Sequence, residues 1–180
     1  TFTHRNVVIG STGSAIYTLP SSPFSVGGNL TISGGTLSAG SNTLTVSGSF
    51  IESTGTFSAG TSTLKLAGSS TNYQLQTTNS LNNLTILPDG AAASYILGND
   101  LLLSGNFLLS GSTLDVTASD YTLTLSGNWL ATTGSFLARE GTVVFDGSSA
   151  QTISGSTVFW NLTKSVSSTG TLFFAYDGQQ

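Results

Sequence analysis

Gly28-Asn29-Leu30-Thr31-Ile32-Ser33-Gly34-Gly35-Thr36-Leu37-Ser38-Ala39-Gly40-Ser41-Asn42-Thr43-Leu44-Thr45-Val46-Ser47-Gly48 is the stretch from which the fold follows. Its apolar residues alternate, Leu30 with Ile32 and Leu44 with Val46, and the same alternation returns at Leu64/Leu66, Leu123/Leu125 and Val143/Phe145. A period of two puts successive side chains on opposite faces of a short strand. On a longer scale Leu30, Leu37, Leu44, Phe50, Phe57 and Leu64 recur about every seven residues, which imitates a helical heptad. The residues between them are Gly, Ser and Thr, and each Gly costs a helix interior about 1 kcal/mol relative to Ala, so a coiled coil is excluded. Three strand-plus-turn units of about seven residues make a coil of about 20, a beat marked by Gly28, Gly48 and Gly68 and again by Gly127 and Gly147. The expected fold is all-β: a three-sided parallel β-solenoid whose stacked coils bury a shared interior. The competing fold is an antiparallel β-sandwich, which also uses many short strands.

Working outward, the chain repeats itself. Gly28-Asn29-Leu30 returns as Gly105-Asn106-Phe107, Thr43 to Gly48 as Thr122 to Gly127, and Thr54-Gly55-Thr56-Phe57 as Thr133-Gly134-Ser135-Phe136. Thr63, Leu64, Leu66 and Gly68 match Thr142, Val143, Phe145 and Gly147; Gln74 matches Gln151, and Asn83-Leu84-Thr85 matches Asn161-Leu162-Thr163. The period is about 78 residues, a duplication. One domain over 1–180 is expected, with halves at 28–87 and 105–164 and a junction at 88–104 around the turn signal Pro88-Asp89-Gly90. Residues 1–27 and 165–180 fit the repeat poorly and are expected to cap or dock the ends.

Composition narrows the function classes. Charged residues are 7% of the 180, against about 25% in an average protein, and Ser with Thr supplies roughly a third. The four basic residues, Arg5, Lys65, Arg139 and Lys164, form no cluster that could follow a phosphate backbone, so no nucleic-acid partner is expected. With no Cys there is neither a disulfide scaffold nor a thiolate metal site. No apolar run approaches the roughly 18 residues of a membrane span. This hydroxyl-dressed, Lys-poor surface is associated with secreted proteins, and an extracellular or cell-surface location is expected.

The phrases Gly141-Thr142-Val143-Val144-Phe145-Asp146-Gly147, Gln151-Thr152-Ile153-Ser154-Gly155 and Phe159-Trp160-Asn161-Leu162-Thr163 resemble repeats of very large secreted bacterial surface proteins. The resemblance covers about residues 28–163. It implies an exposed scaffold similar to the β-solenoid stalks of adhesins and autotransporter-like proteins, with no catalytic residues to carry over.

No chemistry is concentrated at one place. His4 is the single histidine and adjoins Arg5, without the partners a triad or a metal site needs. The carboxylates are Glu52, Asp89, Asp100, Asp115, Asp120, Glu140, Asp146 and Asp177; solvated turn positions are expected for the aspartates, with an acidic patch of Asp115, Asp120 and Asp146 as the one conceivable catalytic grouping. No catalytic, cofactor-binding or metal-binding residue is assigned, no cofactor is expected, and the chain is not expected to be an enzyme. Asn29, Asn83 and Asn161 each open an Asn-Leu-Thr sequon, but their recurrence at strand starts suits a ladder of structural amides. The pairs Thr43/Thr45, Thr61/Thr63 and Thr122/Thr124 would interest an ice-binding face only if they recurred on every coil. Phe50, Phe57, Trp129 and Phe136 sit at core positions of the repeat. Phe159, Trp160, Phe173 and Phe174 cluster instead near the C-terminal end, and Val7, Val8 and Ile9 form a strand near the other; these seven are the candidate assembly contacts. The functional expectation is a structural subunit or repeat segment of a surface filament, appendage or adhesin stalk, whose partners are copies of itself. The alternative is a carbohydrate- or surface-binding module, with ice binding or polysaccharide cleavage further off.

Overall fold

The computed structural model describes residues 3–166 and 169–175, and within them every strand pair is parallel. That excludes the sandwich and establishes the solenoid. The first face is one sheet of nine strands that begins at Thr3–His4, passes through Thr43–Val46, Thr63–Leu66, Asn83–Ile86 and Phe107–Leu109, and ends at Leu172–Phe174. Nine strands on one face mean eight turns. The second face has seven strands, from Val7–Ile9 to Ser135–Leu137. The third is split into Ile16–Thr18, Thr36–Ser38 and Thr56–Ser58, then, after a gap bridged only at Leu81, Leu101–Leu103, Leu123–Leu125, Thr142–Phe145 and Asn161–Lys164.

Registers are in phase, so equivalent side chains stack in columns: Leu44, Leu64, Leu84, Phe107 and Trp129 lie one above another, each buried. The six positions at the seven-residue spacing, Leu30 to Leu64, are all buried. Each buried Leu or Phe contributes about 1.5–3 kcal/mol of apolar transfer, which is how strands of three or four residues hold together.

Residues 3–27 continue the ladder at this end. They form the first full coil, with His4 paired to Val26 and Val7 to Leu30. Segment 88–104 carries two ladder strands, Ser94–Leu97 and Leu101–Leu103, and its extra length is taken up in the turn after Leu87.

The duplication is rotated. Leu30–Ile32 lies on the second face and its repeat partner Phe107–Leu109 on the first; Thr43–Val46 lies on the first and Leu123–Leu125 on the third; Thr56–Ser58 lies on the third and Ser135–Leu137 on the second. From Leu30 the chain visits faces 2, 3, 1, 2, 3, 1, 2, then the third at Leu81, then 1, 2, 3 and 1 at Phe107, which is eleven steps. Eleven is one short of four full turns, so sequence-equivalent strands differ by one face.

Candidate functional site

Three places carry polar chemistry: the gap in the third face, the corners of the coil, and the two ends.

At the gap, Glu52 is fully buried. In the strand Phe50–Glu52, alternation points Phe50 and Glu52 inward and leaves Ile51 outside. The outer edge of Thr56–Ser58 has no strand beside it, and the Glu52 carboxylate takes that place. Oε1 accepts from the Phe57 amide at 2.8 Å and from Asn79 Nδ2; Oε2 accepts from the Thr77 hydroxyl at 2.5 Å and from the amides of Thr78 at 3.0 Å and Asn79 at 3.3 Å. Five donors satisfy one buried anion without a cation. This carboxylate patches a break in the ladder. Gln151 is also buried, donating to the carbonyls of Leu125 at 3.0 Å and Gly127 at 2.5 Å and accepting from Lys164 Nζ at 2.5 Å.

At the corners, side chains from one coil accept backbone amides of the next. The Oδ1 atoms of Asn6, Asn29, Asn83, Asn106 and Asn128 accept from the amides of Asn29, Ser49, Asn106, Asn128 and Thr152, at 2.8–2.9 Å. Asp100 and Asp120 do the same for Thr122 and Glu140. Two of the three sequon asparagines, Asn29 and Asn83, are thus ladder residues, and the third, Asn161, donates to the Glu140 carbonyl. Asp89 pairs with Lys65, and Asp115 with Arg139 at 2.7 Å. The Arg139 guanidinium, hydrogen-bonded to Asp115, holds that carboxyl below the usual carboxylate range.

Asp115, Asp120 and Asp146 do not converge. Asp115 and Asp120 precede the third-face strand Leu123–Leu125, whereas Asp146 follows Thr142–Phe145 and accepts from Ser126. Asp177 lies outside the described residues. His4 is exposed beside Phe24, and no group of three His, Cys, Asp or Glu among the described residues could hold a metal. The Thr-x-Thr pairs are divided between faces, Thr43/Thr45 on the first and Thr124 on the third.

At the ends, the seven assembly candidates separate. Val7 and Ile9 are partly buried against the core and only Val8 of that strand faces water, 68% exposed. Phe159 packs inward against Trp129 and Phe136, while Trp160, Phe173 and Phe174 are exposed. Ile16 and Tyr17, which sequence inspection passed over, are exposed on the outermost strand of the third face. Their signal was an Ile-Tyr pair outside the repeat.

The fold and its polar chemistry define a three-sided parallel β-solenoid with amide-capped corners and a buried carboxylate patch. No protein family, curated protein or solved structure matches the chain.

Proposed function

We propose that this chain is an extracellular structural element, a subunit or repeat segment of a surface filament, appendage or adhesin stalk, and not an enzyme. The observation that supports this is the pair of unsealed ends. Among the described residues no strand covers the outer edge of Ile16–Thr18 at one end, or of Ser135–Leu137, Asn161–Lys164 and Leu172–Phe174 at the other. A bare strand edge is a template for further pairing unless charge or a bulge protects it. Here it carries apolar side chains instead: Val8, Ile16 and Tyr17 at one end, Phe173 and Phe174 at the other. The first face runs the full length of the described stack and ends in a parallel strand, so its last strand presents the pairing that the first strand of a second copy needs. The first-face strand Leu172–Phe174 would meet Thr3–His4 of the next copy.

Sedimentation velocity over a concentration series tests this with charge placed at either end. Association that grows with concentration, and that Val8→Lys or Phe174→Lys each abolishes, is the expected result. A monomer at every concentration, or association that survives both substitutions, would overturn it.

A further inference from the structure

Where the second face turns into the third, the last coils carry a groove that the fold itself does not require. Two adjoining hollows of about 240 and 480 Å³ share Arg139 and Trp160; Leu137 and Val158 line the apolar one, Asp120 and Glu140 the polar one. The duplication supplies an internal comparison. Counted from the matched residues Phe57/Phe136, Thr63/Thr142 and Asn83/Asn161, the positions of Leu137, Arg139, Glu140, Val158 and Trp160 are held in the first half by Ser58, Gly60, Thr61, Ser80 and Asn82. The same coil geometry is thus built there from small or polar residues. The backbone shows the same replacement. Gly40 and Gly60 are left-handed with φ of 62° and 57°, and their counterparts Thr117 and Arg139 keep that conformation at 63° and 49° with side chains that disfavour it.

The groove's surface is amphipathic on the scale of one ring. Trp160 is 63% exposed and lines both hollows. Beside it the Arg139 guanidinium is held in one plane by two bonds to Asp115, from Nε at 2.9 Å and Nη2 at 2.7 Å, which leaves Nη1 free of both. One Asp120 oxygen, Oδ1, accepts the Glu140 amide at 2.9 Å, and both residues line the polar hollow. A flat apolar ring next to fixed planar donors and acceptors matches a sugar, which presents C–H groups on one face and hydroxyls around its rim. Asp115 neutralises Arg139, so Asp120 and Glu140 leave the groove negative and disfavour acidic sugars. We propose that this groove binds a neutral saccharide of a few units, with Trp160 stacking on a ring and Asp120, Arg139 and Glu140 taking its hydroxyls.

The chain has two tryptophans, and Trp129 is buried, so a fluorescence change on binding reports on Trp160. The test titrates the chain with neutral oligosaccharides of glucose, galactose, mannose and N-acetylglucosamine, and with an oligouronate as the acidic comparison. A saturable blue shift with at least one neutral oligosaccharide is expected. Isothermal titration calorimetry should find that binding weakened about tenfold or more by Trp160→Phe's smaller ring, by Trp160→Ala and by Glu140→Gln, in variants whose thermal melts match the parent's. No saturable response to any neutral oligosaccharide, binding undiminished in Trp160→Ala, or preference for the oligouronate would overturn the proposal. Loss of end-to-end association in Trp160→Ala with no sugar response in the parent would also overturn it and make Trp160 an assembly contact.

Discussion

Glu52 shows how much one side chain decides in a fold of three-residue strands. It replaces the missing neighbour of Thr56–Ser58, and without it the amides of Phe57 and Thr78 lose their acceptor. Glu52→Ala should therefore cost about 3–5 kcal/mol, read as a lower guanidinium midpoint with an unchanged slope. A loss under about 1 kcal/mol would mean the gap is held by other contacts. Tyr95 is a second buried polar residue, whose oxygen accepts the Gly68 amide at 2.8 Å; burial pushes its phenol up from 10.0 to about 12. A raised folded-state pKa adds stability that is complete below the unfolded value and disappears as pH climbs through the folded one. Thermal stability should therefore fall between about pH 10 and 12, and Tyr95→Phe should flatten that fall while lowering stability at neutral pH.

At the scale of the element, the strands and their core residues were legible because alternation and the seven-residue spacing both reflect burial, and the columns from Leu30 to Leu64 are buried where that spacing places them. Glu52 was legible in principle, since alternation from Phe50 points it inward, but a carboxylate reads as solvated when its donors, Thr77 and Asn79, lie a coil away. The first coil was missed because His4, Val7 and Tyr17 keep the ladder's backbone without the repeat's Gly and Leu markers. Close stacking sets a further local demand at Gly155, which has φ of 81° and pairs with Ala131; a Cβ there would fall on the Ala131 carbonyl oxygen. Gly155→Ala should cost more than about 2 kcal/mol locally. In a stack where each coil touches only its neighbours, hydrogen exchange should accelerate around Gln151–Gly155 and Leu172–Phe174 while Thr63–Leu66 stays protected. Uniform acceleration along the chain would contradict that.

Across the whole molecule, the rotation of the duplication was hidden from the sequence, because matching residues fixes equivalence but not phase. The phase depends on Leu81 occupying a side of the coil with a single bridge, and on its counterpart Phe159 doing so without a strand. One consequence is that features repeated in sequence, such as the amide ladders of Asn29 and Asn106, run along different corners. A second is that Ser58, the first-half residue matching Leu137 of the groove's lining, lies on the third face rather than the second. The ends are unaffected by the rotation: among the described residues the first face begins at Thr3–His4 and finishes at Leu172–Phe174, both parallel strands with one open edge. Electron microscopy of the concentrated, purified chain tests that continuity most directly. Nine first-face strands per copy at about 4.8 Å each predict filaments one solenoid wide with an axial repeat of about 43 Å; dispersed single particles of about that length, at every concentration, would contradict end-to-end assembly.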